Sequence, residues 1–488
     1  MNRTADGIVF GDNLEPKEIT QIIMSCYASS PQIKDIEDAD DYFDGKSKIS
    51  KKLKVYYDKD RNAIDNPNAS NSRIASNFLR ILVQQKQDYA FSKSFVMKIS
   101  NGDEKEIDSD KDDYVKRWKT LCDDTLFKFV YKIAEQVINH GVAWTFVWID
   151  ENGVFRLKDV DSSTVYPIWT DKYHDTLDKL VYHYFVEKYD SLNPNLYEYA
   201  EYWTNEERRL FSITESYKDM SGDDSFHLTS SDGGVSWGRI PFVAFKVSED
   251  EKPLLNHIRQ YIDAYDELMS KSVDGLIDDL DPLLVFKGVS PSVGDLLEAR
   301  ELAKMTRTIS LDTDGDAHYI QADTSIDAHL KELQMLRRDI MKFGYGVDYE
   351  DERFSGNPNQ MLIKSLYQNL DTFTDRLERQ FQTFIDNLKY FFDKWCDFSG
   401  IKSFDECQKY KILVKLDRVM MINQSELIKD TISLTGTGVS QKTLLEFNPV
   451  VQDVDVELER IDEERKQSME QNEMFNFESI SKNNEKTV

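Results

Sequence analysis

The longest regular pattern in the chain is an apolar stripe in residues 360–399, QMLIKSLYQNLDTFTDRLERQFQTFIDNLKYFFDKWCDFS. Apolar side chains recur there every three or four residues, which predicts one amphipathic helix. The stripe consists of Leu362, Leu366, Leu370, Phe373, Leu377, Phe381, Phe384, Leu388, Phe391 and Trp395. At 1.5 Å per residue the helix would be about 60 Å long, more than one globule needs. We therefore expect it to span domains or subunits.

The segment before this helix, residues 344–359, reads GYGVDYEDERFSGNPN. It has three glycines, a proline and no hydrophobic period, so it predicts a long loop between two helices. Loops of this length in a compact protein are usually functional or disordered. We expect Gly344, Gly346 and Gly356 to give this loop hinge freedom.

Farther upstream, two helical patterns flank a short insertion. Residues 251–280 carry apolar side chains at helical spacing, and Pro282 predicts the end of that helix. Residues 281–322 predict a short strand, a helix at about 293–304 and a second strand pair. Residues 323–343 predict another helix.

Residues 1–250 predict a mixed α+β region. The run that follows Asn71 has helical spacing through Phe91, with Asn68 or Ser70 as its candidate cap, and a second helix is expected at about 110–140. Beyond Gly141 the period changes to two, and Asn152-Gly153 predicts a hairpin turn. Residues 400–488 predict a strand followed by helices and a frayed end. The predicted fold class is α+β and mainly helical.

Composition excludes several function classes. The 488 residues carry a formal net charge of −28, which disfavours tight binding of nucleic acid through phosphate neutralisation. No apolar run is long enough to span a membrane. The four cysteines lack zinc-site spacing, and we expect them to be reduced and structural.

Motifs for catalysis are also missing from the sequence. It contains no phosphate-binding GxxxxGK[ST], no HExxH and no GxSxG, so we expect no enzyme and no cofactor. Asp312, Asp314 and Asp316 imitate the start of a calcium loop, but Asp323 stands where that loop needs glutamate. We therefore predict no metal site.

Four segments, taken in order, resemble the portal proteins of long-tailed, siphovirus-type bacteriophages that infect Gram-positive bacteria. Residues 71–89 resemble a wing helix, and IPFVAFKV (240–247) with residues 261–288 resembles the passage from sheet to stem. FSGNPNQMLIKSLY (354–367) resembles the tunnel loop leading into the long helix, and residues 438–464 resemble the crown. Pro358-Asn359 stands where the family often has Ser-Gly, which leaves the start of the long helix open.

The resemblance implies a portal fold with wing, stem, clip and crown domains, assembled as a cyclic ring with a central channel. The implied domains are the wing (1–250), the stem helices (251–280 and 323–343), the clip (281–322), the tunnel loop (344–359), the long wing helix (360–399) and the crown (400–488). The implied ring has twelve subunits in the virion, with thirteen as the alternative for the free protein.

The function implied by the resemblance is a channel at one capsid vertex of the virion, assembled in the host cytoplasm. Double-stranded DNA would pass through it non-specifically during packaging, retention and ejection. The implied partners are the terminase motor, a head-completion adaptor, and the major capsid and scaffolding proteins, without a membrane. The alternatives are another phage head or tail assembly protein, such as a scaffold or connector without a DNA channel, and a cytosolic enzyme with an unrecognised site.

Three groups of residues are the candidate sites that the resemblance implies. Those expected to project from the tunnel loop toward DNA are Tyr345, Asp348, Tyr349, Glu350, Asp351, Glu352, Arg353 and Phe354. Those expected to line the stem are Lys331, Arg337, Arg338 and Lys342, and those expected to bind partners at the clip are Arg300, Glu301, Lys304 and Arg307. Solvated faces and ordinary helix salt bridges explain the stem and clip residues equally well.

Overall fold

The computed structural model describes most of the chain, with gaps. The described residues are 8, 10–11, 13–28, 30–52, 56–57, 63–64, 70–101, 112–189, 194–222, 225–230, 233–279, 283–287, 316–320, 326–354, 359–418, 424–435, 437–448, 451, 454 and 456–467. They divide into two units. The first comprises Met1–Val347 with Asn369–Val419, and the second comprises Asp348–Gln368 with Met420–Val488.

The first unit contains both helices and strands. Its helices are α1 (Pro16–Ala28), α2 (Pro31–Phe43), α3 (Lys48–Lys51), α4 (Phe78–Phe91), α5 (Asp113–Leu121), α6 (Phe127–His140), α7 (Leu255–Asp279) and α8 (Ile326–Phe343). Helix α9 (Gln360–Phe398) begins in the second unit and continues into the first, where α10 (Phe404–Cys407) follows it. A π-helical turn, Cys122–Leu126, joins α5 to α6.

The strands form antiparallel sheets. They are β1 (Tyr56–Tyr57), β2 (Ala63–Ile64), β3 (Val96–Asn101), β4 (Val142–Ile149), β5 (Phe155–Val160), β6 (Val165–Trp169), β7 (Leu177–Lys188), β8 (Asn195–Trp203), β9 (Arg208–Ser212), β10 (Lys218–Asp219), β11 (Leu228–Ser230), β12 (Gly233–Val235), β13 (Phe242–Lys246), β14 (Leu283–Lys287), β15 (Asp316–Ile320) and β16 (Tyr410–Lys415). The largest sheet has five strands in the order β10-β9-β8-β7-β6, and a second has three in the order β13-β4-β5. The hairpin predicted at Asn152-Gly153 joins β4 to β5, with Gly153 at φ +76°.

The second unit is helical where it is described. It contains a 3-10 turn at Glu352–Phe354, the first residues of α9, α11 (Gln424–Leu434), α12 (Gln441–Phe447) and helical residues within 454–467. Asn359 caps the start of α9, because its Oδ1 accepts the Leu362 N–H at 2.8 Å and its carbonyl accepts the Ile363 N–H at 3.1 Å. Asparagine is a preferred N-cap, so the departure at Pro358-Asn359 is compatible with a long helix that begins at Gln360.

The main core of the first unit forms around α9. The Phe381 ring lies 4.9 Å from Phe95, 5.5 Å from Phe91 and 5.6 Å from Phe245, so this one side chain joins α9 to α4, to the segment after α4, and to β13. Every apolar stripe residue from Leu370 to Trp395 is buried. Burying such a side chain contributes about 1.5–3 kcal/mol.

The segment before α4 is extended rather than helical, which corrects the predicted helix start. The backbone N–H groups of Ser72, Ile74 and Ser76 donate to side chains of α7 at 2.8, 3.0 and 2.9 Å. The acceptors are Asp274, Ser270 and Asp266, which follow one another at intervals of four residues and so share one face of α7. These bonds replace the helical hydrogen bonds that the local spacing favours, and α4 begins at Phe78.

Helices α7 and α8 lie antiparallel. Ser272, toward the end of α7, contacts His329, near the start of α8, with 3.1 Å between Oγ and Nδ1. Tyr261, in the first half of α7, stacks on Phe343 at the end of α8, with ring centroids 5.1 Å apart. Between the two helices in sequence, β14 pairs antiparallel with β15 from Leu283↔Ile320 to Lys287↔Asp316. The helix predicted at about 293–304 lies outside the described residues.

Candidate functional site

Helix α8 ends in a Schellman motif that directs the chain into the predicted loop. The Gly346 N–H donates to the Met341 carbonyl at 2.7 Å, and the Tyr345 N–H donates to the Lys342 carbonyl at 3.3 Å. Tyr345 occupies the left-handed position of this motif at φ +53°, where glycine is the usual residue. A non-glycine residue at that position costs roughly 1–2 kcal/mol, so its side chain must gain contacts elsewhere.

The Tyr345 ring makes those contacts within the first unit. It lies 5.8 Å from the Phe373 ring and 6.3 Å from the His257 ring, and the Arg376 guanidinium lies 5.6 Å from its centroid. Tyr345 is half-buried against the main core. Tyr345 therefore packs at the base of the loop in this structure, and its projection toward DNA stays a prediction.

Gln85 of α4 fixes the next residue of the turn. The Val347 N–H donates to Gln85 Oε1 at 2.8 Å, and Gln85 Nε2 donates to the Val347 carbonyl at 2.9 Å. The side-chain amide thus satisfies both backbone groups of Val347, which is buried. Sequence reasoning missed Gln85, because nothing in its own helix marks it as a partner of a residue so distant in the chain.

Close packing explains Gly344 and Gly346 better than hinge freedom does. A Cβ at Gly344 would lie 2.6 Å from Leu82 Cδ1, and one at Gly346 would lie 2.2 Å from Leu82 Cδ2. Both glycines therefore let the turn approach α4. Hinge freedom at these two glycines stays a prediction, and Gly356 lies outside the described residues.

The segment Asp348–Phe354 belongs to the second unit and folds on itself. Asp351 accepts from the Arg353 backbone N–H (2.9 Å), from Arg353 Nε (2.9 Å) and from Arg353 Nη2 (2.7 Å). The hydrogen bonds from Arg353 lower the pKa of Asp351 to about 2. The rings of Tyr349 and Phe354 lie 5.9 Å apart, and Tyr349 is 56% exposed. The guanidinium of Arg353 is therefore paired with a carboxylate of its own loop, beside Asp348, Glu350 and Glu352 in the sequence.

The basic candidates of the stem lie on α8. Lys331, Arg338 and Lys342 are exposed, whereas Arg337 is half-buried. The Lys342 ammonium lies 5.5 Å from the Phe343 ring. The opposite side of α8 buries Leu333, Ile340 and Met341, so α8 is amphipathic with its cations toward the exposed side.

The remaining candidates are not placed by the structure. Arg300, Glu301, Lys304 and Arg307 lie outside the described residues, as do the acidic residues from 312 to 314. Among the residues that are described, no three histidine, cysteine or carboxylate groups come close enough to hold a metal ion. Within the same ranges, no helix has the length and apolarity that crossing a membrane requires.

A buried lysine lies under the turn that follows α8. Lys86 is fully buried on α4, where its Nζ donates to the Leu82 carbonyl at 3.2 Å and lies 5.4 Å from the Phe373 ring. Burial lowers the pKa of Lys86 to about 7. The Phe373 ring also contacts Tyr345, so this ring lies between Lys86 and the base of the loop.

Replacing Gly346 tests close packing against hinge freedom. We expect Gly346→Ala to destabilise the first unit by about 1–3 kcal/mol, because the added methyl group overlaps Leu82. The matched control is Gly11→Ala, whose Cβ would lie 3.8 Å from its nearest neighbour. Thermal unfolding of both variants measures the effect, and unchanged stability of Gly346→Ala would restore the hinge interpretation.

Lys86 should make stability depend on pH. The folded state binds this proton more weakly than the unfolded state between pH 7 and about 10.5, so the folded protein gains stability as pH rises through that window. Below pH 7 the whole penalty is present, on the order of 4–5 kcal/mol. Relative to the wild type, Lys86→Met should therefore be most stabilising at pH 6 and progressively less so toward pH 10. Urea unfolding at several pH values measures this difference, and a constant difference would contradict the prediction.

Comparison with known proteins identifies the family. The chain matches the phage portal protein family described as SPP1 Gp6-like over residues 27–471. It is 23% identical to the portal protein of Bacillus phage SPP1 over 437 residues, which cover 88% of this chain and 83% of that protein. It is 25% identical to the portal protein of Clostridium phage phiCD119 over 464 residues, which cover 90% of this chain and 94% of that protein. The resemblance found in the sequence is confirmed, and the chain belongs to the SPP1 Gp6-like family of phage portal proteins.

Proposed function

We propose that this portal protein forms a closed ring at one capsid vertex, around a channel through which double-stranded DNA is packaged, retained and ejected. Helices α7 and α8 would form the stem, β14 and β15 would belong to the clip, and residues 348–359 would form the tunnel loop. The wing would comprise residues 1–250 with the long helix 360–399, and the crown residues 400–488. The antiparallel α7/α8 pair leading to and from the β14/β15 pair supports this division.

Exposed apolar side chains on both stem helices carry the proposal. Leu276 and Ile277 of α7 are 45% and 48% exposed, and Leu330 and Met335 of α8 are 52% and 48% exposed. A cyclic ring needs two different surfaces of each subunit to meet, so an apolar face on each helix fits neighbouring copies. Covering these side chains would remove apolar surface from water at every subunit boundary.

The net negative charge of the chain favours loose passage of DNA over tight binding. With −28 formal charges on each subunit, the ring repels phosphate on average, which prevents tight, register-specific binding of the duplex. Lys331, Arg338 and Lys342 would guide the duplex locally from the stem. Tyr349 and the carboxylates of the tunnel loop would meet it without holding it.

The partners follow from this placement. The clip would face outward and bind the terminase motor during packaging and a head-completion adaptor afterwards. Major capsid and scaffolding proteins would contact the ring during assembly in the host cytoplasm. The hydrolysis of ATP would belong to the motor, and this chain would be a structural subunit. A ring of twelve is expected in the virion.

A charge on the exposed stem face should prevent ring assembly. We expect Leu330→Glu to lose roughly 1.5–3 kcal/mol of apolar burial at each subunit contact, which is about tenfold or more in each association constant. Met220→Glu is the matched control, because Met220 is 46% exposed and lies outside the stem. Native mass spectrometry should find rings for the wild type and the control and fewer rings for Leu330→Glu. A wild type that stays monomeric under all conditions would contradict ring assembly.

Shortening the tunnel loop should separate assembly from DNA handling. Deletion of residues 349–356 leaves the Schellman turn, Gln85 and Val347 intact, so rings should still form. Packaging or retention of DNA should then fail in an assay with motor and capsids. A second deletion that also removes residues 345–348 should lower the stability of the first unit, because it removes the packed turn at the base of the loop. Normal packaging by the 349–356 deletion would refute the proposed loop role.

A further inference from the structure

A two-stranded lysine surface stands out in this acidic chain. Strands β3 and β16 pair in an antiparallel ladder. Along β16 the residues alternate strictly between a buried face and an outward face. The outward face, called the lysine ribbon below, consists of Val96, Lys98, Ser100, Lys411, Leu413 and Lys415. It contains three cations and no carboxylate, although the whole chain has 89 acidic and 61 basic residues.

The three lysines lie on two neighbouring strands. Lys411 and Lys415 are four residues apart on β16, and Lys98 is paired across the ladder with Leu413 between them. Alternate residues of a strand are about 7 Å apart, so the cations occupy three successive levels over about 14 Å. All three side chains are exposed. Within the part of the chain that the structure describes, no residue forms an ion pair with any of them.

The ribbon is anchored to α9 by hydrogen bonds along the edge of β16 and by its buried inner face. Gln382 of α9 donates through Nε2 to the Ile412 carbonyl at 2.8 Å, and its Oε1 accepts the Val414 N–H at 3.0 Å. This amide occupies the free edge of β16 as a neighbouring strand would. Ile99, Ile412 and Val414 are buried beneath the ribbon. The lysines therefore project from a two-stranded base whose other face is packed in the core.

We propose that the lysine ribbon is a contact site for the phosphate backbone of double-stranded DNA, separate from the residues assigned to the channel. The proposal rests on the proposed function, which brings packaged DNA close to the ring. A duplex carries one charge per about 1.7 Å of axis, so about 14 Å of duplex carries about eight phosphate charges, some of them on the side that would face the ribbon. Lysine supplies flexible point charges that suit such non-specific contacts.

Distant acidic groups of the chain have little effect on this patch. At physiological ionic strength the Debye length is about 8 Å, so acidic groups beyond the ribbon's immediate surroundings are largely screened. Asp417, close to the end of β16, is itself paired with Lys93 at 3.5 Å. One ribbon binds weakly, and a ring would present many copies to one duplex, which raises the overall affinity.

An acidic protein is the competing occupant. Val96 is 49% exposed and Leu413 is 61% exposed, and exposed apolar side chains often mark protein contacts. Lysine, however, is depleted in protein interfaces and prominent in contacts to phosphate. Variants that change the cations and the aliphatic pair separately can decide between the two occupants.

The test measures binding of the full-length protein to a 30-base-pair duplex of random sequence by fluorescence anisotropy between 50 and 200 mM salt. Three phosphate contacts predict a slope of log K against log salt of about −2.7 for one engaged ribbon, an affinity loss of about 40-fold over that range, and a steeper slope where several ribbons of a ring engage one duplex. The triple variant Lys98→Gln, Lys411→Gln, Lys415→Gln should lose most of this slope. The control Lys34→Gln, Lys128→Gln, Lys252→Gln removes the same charge from other exposed lysines and should retain it.

A double variant tests the alternative occupant. Val96→Thr with Leu413→Thr keeps β-forming side chains and all three cations, so DNA binding should stay within about twofold of wild type. Equal losses in this variant and in the lysine triple, or equal losses in the two lysine triples, would overturn the proposal. Absence of DNA binding by the wild type at 50 mM salt would also overturn it. Native mass spectrometry of every variant counts subunits independently, so a failure of ring assembly is recognised separately.

Discussion

The first unit depends on covering one face of α9. Between Leu370 and Trp395 its apolar side chains contact α4, α5, β5 and β13 in one continuous core. The same helix runs unbroken from Gln360, in the second unit, to Phe398, in the first. The long stripe therefore fixes the core and the continuity of the chain together.

Where backbone N–H and C=O groups lack partners in a helix or sheet, polar side chains form the hydrogen bonds instead. Gln85 satisfies both backbone groups of Val347, and Gln382 does the same for the edge of β16. Asp266, Ser270 and Asp274 accept the alternate N–H groups of the extended segment before α4. In all three places the side chain comes from a helix of the core, so irregular segments are fixed to the rigid part of the molecule.

Local patterns predicted the elements whose hydrogen bonds are local. The spacing of apolar residues gave α7, α8 and α9, and Asn152-Gly153 gave the β4–β5 hairpin. The residues from Ser72 to Ser76 were misassigned because their acceptors lie about 200 positions away on α7. Pairing of β3 with β16 and the clamp of Gln85 on Val347 escaped prediction for the same reason. The loop was predicted from three glycines, a proline and the lack of a hydrophobic period, and that local pattern could not reveal that Gly344 and Gly346 approach Leu82 of α4.

Under the proposed function, an acidic portal protein must still let a polyanion approach, and the described cations suggest how the two needs would be compatible. Arg353 is paired with Asp351 inside its own loop, so that loop offers little net attraction. The exposed lysines of α8 and of the lysine ribbon have no such local partner among the described residues, and each group is small. Attraction from a few cations acts within a Debye length, while repulsion from the remaining surface limits how many phosphates can be held at once. A duplex that is attracted at scattered points and repelled between them can be positioned without being fixed in register, which is the physical condition for sliding.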